Sequence, residues 1–84
     1  MNYCERIPVK TKKIALSGEN VIIDCEGLEV SVYADGGDIY LKSNAQTADE
    51  DAYLIKSADS ITLCGSFVLN GTNAKARLLY CKVI

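Results

Sequence analysis

Alternation of apolar and polar residues is the feature of this sequence that most restricts its fold. In "LEVSVYA", residues 28–34, apolar residues occupy every second position, and Glu, Ser and Tyr fill the positions between them. Successive side chains of a β-strand point to opposite faces of a sheet, so this pattern is typical of a strand with one buried face. Shorter runs of the same kind recur along the chain, whereas helical spacing is almost absent.

Turn-forming residues separate these alternating runs. These turn-forming stretches are "SGEN", "EG", "DGGD", "SADS" and "NGTN", and the first three recur at the ~8–12 residues expected between turns in small β-sandwiches. Asp35-Gly36 and Asn70-Gly71 tolerate the positive φ that tight hairpins require, so both turns are predicted to be hairpins. The length of 84 residues fits one domain. We therefore predict a single all-β domain, either a β-sandwich or a jelly-roll-like barrel, of about seven to eight short antiparallel strands.

Two segments are predicted to lie outside the regular strands of this domain. Pro8 cannot donate a ladder hydrogen bond, so residues 1–10 are expected to form an N-terminal arm or an edge strand, with the sandwich domain over residues 11–84. Ala45, Ala48 and Ala52 have helical spacing, but their segment is short and polar. We predict that residues 43–51 form a loop with at most one helical turn, which connects strands of different sheets.

Charge and hydropathy argue against two classes of partner. The formal net charge is −2, so no basic field is available to neutralise phosphates, and nucleic-acid binding is not expected. No apolar run approaches the ~20 residues that span a membrane. The N-terminal stretch lacks the apolar core of a signal peptide, so we expect synthesis in the cytoplasm without secretion by a signal peptide.

Nothing in the residue types indicates an enzyme or a cofactor. The chain has no histidine, which removes the usual general base and the nucleophilic schemes that depend on it. Its four cysteines include no CxxC pair, so neither a zinc ribbon nor a thioredoxin-like site is expected. In a reducing compartment they are expected to be small buried hydrophobes, and Cys64 is the one predicted to be exposed. No catalytic residue and no small-molecule substrate is predicted.

Carboxylates supply the one candidate metal site. Asp49 and Asp51, together with Asp35 and Asp38 on the far side of a turn, offer the hard oxygens that Ca²⁺ prefers. The spacing is not that of an EF-hand loop, and consecutive carboxylates point in different directions. The alternative is a solvated loop that keeps an all-β surface soluble. In that case, exchanging Asp49 and Asp51 for asparagine together is expected to have little effect.

Tyrosines and the last strand supply candidate contact residues. Tyr33 and Tyr40 flank the "DGGD" turn and are predicted to pair across it, where they could also stack on a sugar or seal a subunit contact. In the final run, Leu79, Cys81 and Val83 share one face, and the opposite face is also apolar. A strand of this kind is either central and covered on both faces, or it lines a subunit contact.

A resemblance covers residues 14–84. The order of elements includes the pair Ile39-Tyr40, a polar loop at 44–51, a short strand at 53–56, a turn and strand at 57–63, and a final "RLLY" at 77–80. This order resembles small β-sandwich proteins encoded among the virion genes of tailed bacteriophages and prophages. The resemblance implies a symmetric homo-oligomer that decorates or connects a head or tail, has other virion proteins as partners, and carries no catalytic residues. The alternative is a small β-module that binds a glycan or calcium.

Overall fold

Strands form wherever the alternation predicts them. A computed structural model describes residues 6–84, and eight strands and one 3₁₀ turn account for its regular structure. The strands are β1 (Arg6–Ser17), β2 (Val21–Asp24), β3 (Glu29–Asp35), β4 (Ile39–Lys42), β5 (Tyr53–Ile55), β6 (Ser60–Leu63), β7 (Ser66–Asn70) and β8 (Thr72–Val83). The 3₁₀ turn at Asp49–Asp51 lies in the loop for which the sequence allows one helical turn. The prediction of an all-β fold is confirmed.

The strands form two four-stranded antiparallel sheets. The first sheet has the order β1-β8-β3-β6, and the second has the order β2-β7-β4-β5. Among the strands of residues 6–84, only β4 and β5 are neighbours both along the chain and in a sheet, and every other connection crosses between sheets. This strand order is that of a jelly roll, in which each sheet interleaves early and late strands of the chain.

The turns at Asp35-Gly36 and Asn70-Gly71 are not hairpins, and that prediction was wrong. Strand β3 pairs with β8 and β6, and β7 pairs with β2 and β4, so both turns carry the chain from one sheet to the other. Gly36 has φ +81°, as its turn requires. Turn residues permit a reversal of the chain, but they do not determine which strand becomes the hydrogen-bonded partner.

The core lies between the inner faces of the two sheets. In β3, Val30, Val32 and Ala34 are fully buried, as the alternation predicts. In β8, Leu78 and Tyr80 provide the inward row beside them. The other buried members of the core are Leu16, Ile23, Cys25, Ile39, Ile55, Phe67, Leu69, Ala74 and Ala76.

Strands β1 and β8 form a long ribbon at one edge of the first sheet. They pair from Arg6–Val83 to Ser17–Thr72, whereas β3 pairs with β8 only between Lys75 and Cys81. Residues 6–10 therefore belong to the same edge strand as residues 11–17, and the strand runs through the predicted boundary at residue 10. Residues 1–5, the rest of the predicted arm, lie outside the described residues.

Small residues allow the connections between sheets to pass close to the core. Ala34 and Ala76 face each other across β3 and β8, and both are fully buried. Nearby, a Cβ atom built on Gly37 would lie 3.2 Å from the Cβ of Ala74, so the chain already approaches this layer closely. Extra methyl groups have no free volume here.

We expect Ala76→Val to lower the free energy of unfolding by about 1–3 kcal/mol, because overpacking a filled core displaces its neighbours. Urea denaturation measures this change. The matched control is Ala15→Val, on β1, where the alanine is exposed and opposite Lys75. Equal stabilities of the two variants would contradict the close packing at Ala76.

Candidate functional site

The carboxylates predicted to bind calcium are not brought together. Asp35 accepts a hydrogen bond from Arg77 Nε at 2.6 Å, and this bond is the main reason why the pKa of Asp35 lies below its usual value. Asp38 accepts a hydrogen bond from the backbone N–H of Ser57 at 2.8 Å. Within residues 6–84, no three side chains of His, Cys, Asp or Glu are grouped so that they could hold a metal ion.

Residues 43–51 fold over the outer face of the second sheet. They connect β4 to β5, which pair directly in that sheet, so the prediction that they join different sheets was wrong. The side-chain Nδ2 of Asn20 donates to the backbone carbonyl of Ala45 at 3.4 Å, and its Oδ1 accepts a hydrogen bond from Nδ2 of Asn70 at 2.7 Å. These two bonds tie the loop to β7. Val68, on β7 and outside the core cluster, is buried on this face.

Lys42 is buried at the base of this loop. The alternation in β4 places it on the outer face, where lysine is normally solvated, but only 5% of it is exposed. Its ammonium Nζ lies 2.5 Å from Oδ1 of Asp49. A buried charge needs such a partner, so Asp49 has a structural role. The expectation that Asp49 can be neutralised with little effect therefore has to be corrected.

Tyr33 and Tyr40 do not form a pair, and that prediction was also wrong. Tyr33 lies on β3, opposite Arg77 in the first sheet, and Tyr40 lies on β4, opposite Leu54 in the second. Each is about 40% exposed on the outer face of its own sheet, with the core between them. The error has the same origin as that at the turns, because the strands on either side of "DGGD" belong to different sheets.

The outward row of β8 contains the predicted contact residues of the last strand. Leu79 is half-buried, Cys81 is buried and Val83 is exposed. Strand β8 is central in its sheet, but the two sheets provide no third layer over this face among residues 6–84. A shallow groove of about 650 Å³ crosses the face beside Tyr33 and Leu79. A subunit contact at this row stays a prediction.

The end of the ribbon exposes a group of apolar side chains that the sequence analysis missed. Ile7, Val9, Val83 and Ile84 are between 45% and 74% exposed, and they lie where β1 begins and β8 ends. We call these four residues the ribbon tip. The apolar residues are visible in the sequence, but only the pairing of β1 with β8 places them at one end of the molecule. Ile7 pairs with Lys82 and Val83 pairs with Arg6, so the tip presents apolar side chains on both faces of the ribbon.

The described cysteines are free thiols in different environments. Cys64 is exposed, as predicted, whereas Cys25 and Cys81 are buried. Burial is the main reason why the pKa of Cys25 lies above its usual value, with further contributions from Cys64 and Asp24. The thiol of Cys25 is therefore a poor nucleophile at neutral pH. Cys4 lies outside the described residues.

A cavity of about 360 Å³ opens beside β5 and β6, at the edge opposite β1. Its apolar lining consists of Leu41, Tyr53, Leu63 and Phe67. Its polar lining consists of Lys42, Ser43, Thr47, Asp51, Cys64 and Ser66. No sequence pattern indicates this cavity, because its residues come from two sheets and from the β4–β5 loop. We call it the open-side cavity.

Comparisons with protein-family models, curated proteins and solved structures find no match for this chain. Across residues 6–84, no helix is long and apolar enough to cross a membrane.

We expect Asp49→Asn to destabilise the fold by about 1–2 kcal/mol, because the buried ammonium of Lys42 loses its charged partner. Thermal or urea unfolding measures the loss. Asp51→Asn is the matched control, since Asp51 has no ion pair or side-chain hydrogen bond with residues 6–84, and it should leave stability unchanged. Adding Lys42→Met to Asp49→Asn should restore stability. A silent Asp49→Asn would contradict the structural role.

Proposed function

We propose that this protein is a non-catalytic assembly module that forms a homo-oligomer, and that it serves as a virion component of a tailed phage or prophage. The observation that carries the first part is the ribbon tip, with its four exposed aliphatic side chains at one end of a small domain. Grouped apolar side chains on a surface are typical of protein contacts, whereas single ones need no explanation.

Domain size supports a contact of this kind. A chain of 84 residues buries only about 60% of its unfolded surface, so its own core is thin. Covering the ribbon tip with a second copy would remove more apolar surface from water. Val83 belongs to both the tip and the outward row of β8, so one face of the tip continues along the first sheet toward Cys81 and Leu79.

The charges on β1 favour a contact through side chains over a continuous sheet between subunits. Lys10, Lys12 and Lys13 lie on this edge strand, and Lys10 forms an ion pair with Glu26 at 3.0 Å. Two β1 strands paired edge to edge would bring lysines of both copies close together, which is unfavourable. The tip itself offers aliphatic side chains, flanked by Arg6, which forms an ion pair with Glu29.

The virion role draws on the resemblance across residues 14–84. Jelly rolls build viral capsid proteins, but they also build lectins and cupins, so the fold alone does not select among these roles. The order of elements from Ile39-Tyr40 to the final "RLLY" adds the phage-specific part of the proposal. No catalytic residue is part of it.

We expect the protein to be a closed oligomer in light scattering on a sizing column with reducing agent, and the double variant Ile7→Lys with Val83→Lys to be a monomer. Both residues are about half exposed, so lysine there should not disturb the core. The matched control is Ile22→Lys, an isoleucine with 71% exposure on the second sheet, which should keep the parent mass.

A parent protein that stays monomeric at high concentration would rule out assembly through self-association. An oligomer that survives the double variant would place the contact elsewhere, with Tyr33 and Leu79 as the next residues to change. The virion role fails separately if particles purified from the source strain after prophage induction lack peptides of this chain.

A further inference from the structure

We propose that the open-side cavity binds the ring of a neutral saccharide. The site is formed by Tyr53, by an apolar floor and by the polar residues of the β4–β5 loop, and it does not depend on the assembly role. It lies beside β5 and β6, at the edge of the sandwich opposite the β1–β8 ribbon. One residue of its lining, Cys64, also lines a pocket with Lys82 and Val83 at the end of β8.

Tyr53 is the most unusual residue of the cavity. It lies opposite Leu41 and shares the inward face of β5 with Ile55, which is 2% exposed. A tyrosine on this face is expected to be buried, yet 61% of Tyr53 is exposed, because β5 is an edge strand and the cover of the core ends there. The C–H groups on one face of a sugar ring are attracted to the electron-rich face of such an aromatic side chain.

The floor of the cavity is apolar and incompletely covered. Leu41 and Leu63 point inward from β4 and β6, but both are only half-buried, and Phe67 completes the surface. The volume of about 360 Å³ falls within the ~300–1,000 Å³ of small-molecule sites, and it is large enough for one sugar ring. A ligand with an apolar face would exclude water from these side chains.

The rim of the cavity offers hydrogen-bonding groups of both kinds. Ser43, Thr47 and Ser66 carry hydroxyls, which donate and accept, and the carboxylate of Asp51 accepts. No ion pair or side-chain hydrogen bond from residues 6–84 occupies that carboxylate. Sugar hydroxyls also donate and accept, so they can satisfy such a rim on several sides.

Part of the rim is held in place before any ligand arrives. The hydroxyl of Thr47 lies 3.3 Å from that of Ser43 and 3.4 Å from Oδ1 of Asn44. The contact between Lys42 and Asp49 fixes the 3₁₀ turn that carries Asp51. A preordered loop loses less conformational entropy on binding, which favours affinity.

The same groups discriminate against two other classes of ligand. An anionic ligand would meet the negative charge of Asp51 at the rim, and the one cation of the lining, Lys42, is already paired with Asp49. A purely apolar ligand would fill the floor but displace water from the carboxylate and hydroxyls without replacing its hydrogen bonds, which is unfavourable. A neutral compound with one apolar face and several hydroxyls satisfies the floor and the rim together.

The test is a titration of the ¹⁵N-labelled full chain, followed by NMR chemical shifts. The probes are methyl β-D-glucopyranoside, methyl α-D-mannopyranoside, N-acetylglucosamine and L-rhamnose, with sodium glucuronate and cyclohexanol as the anionic and apolar comparisons. At least one neutral sugar should shift the amide signals of Thr47, Tyr53 and Cys64, and it should bind more tightly than glucuronate or cyclohexanol.

Variants then assign the contacts. Tyr53→Ala should raise the Kd of the bound sugar about tenfold, and Tyr53→Phe should preserve it, because stacking needs the ring and not the hydroxyl. The matched control is Tyr40→Ala, which removes another exposed tyrosine from the opposite face of the same sheet. Asp51→Asn should weaken binding, whereas Glu50→Gln, outside the cavity lining, should not.

Three results would overturn the proposal: no probe sugar shifts the signals of the cavity, Tyr53→Ala binds as tightly as Tyr40→Ala, or cyclohexanol binds and every sugar fails. Light scattering on the same samples measures the oligomeric state, so the test of sugar binding and the test of self-association give independent results. A monomer that binds sugar would retain this proposal and contradict self-association, and an oligomer that binds none would do the reverse.

Discussion

Pairing between β1 and β8 is the interaction on which the rest of the structure depends. The two strands are hydrogen-bonded over residues 6–17 and 72–83, although almost the whole described chain separates them. This pairing makes β8 a central strand, which gives β3 its partner and fixes the inward row of Leu78 and Tyr80. It also brings the four residues of the ribbon tip together. The fold and its largest group of exposed aliphatic side chains therefore share one cause.

Sequence patterns within single strands predicted the positions of the strands and their buried faces. Period-two alternation placed Val30, Val32 and Ala34 in the core, because it depends only on each strand's own geometry. It failed where the prediction required the identity of the neighbouring strand in the sheet. The turns were predicted to be hairpins, and Tyr33 was predicted to pair with Tyr40. Burial of Lys42 was equally out of reach, since a distant part of the loop covers it. The open-side cavity combines residues of both sheets, so no single stretch of sequence predicts it.

The two proposed surfaces occupy opposite edges of the sandwich. The ribbon belongs to the β1 edge of the first sheet, and the open-side cavity lies beside β6 and β5, where the other edges of the two sheets meet. An oligomer built at the ribbon tip would carry one such cavity for each subunit. Repeated weak sites on one particle bind a multivalent target far more tightly than any single site does.

The one hairpin of this jelly roll also has a kinetic meaning. In the described part of the chain, β4 and β5 are the only sheet partners that follow one another in sequence, and every other pair must close a longer loop. Closure of a shorter loop costs less entropy, and local contacts form faster than distant ones. The β4–β5 hairpin therefore has the lowest entropy cost of closure among these pairs and is expected to form early in folding. This hairpin carries Lys42, Asp49 and Tyr53. Selection on the loop for binding would then also act on how quickly the chain folds.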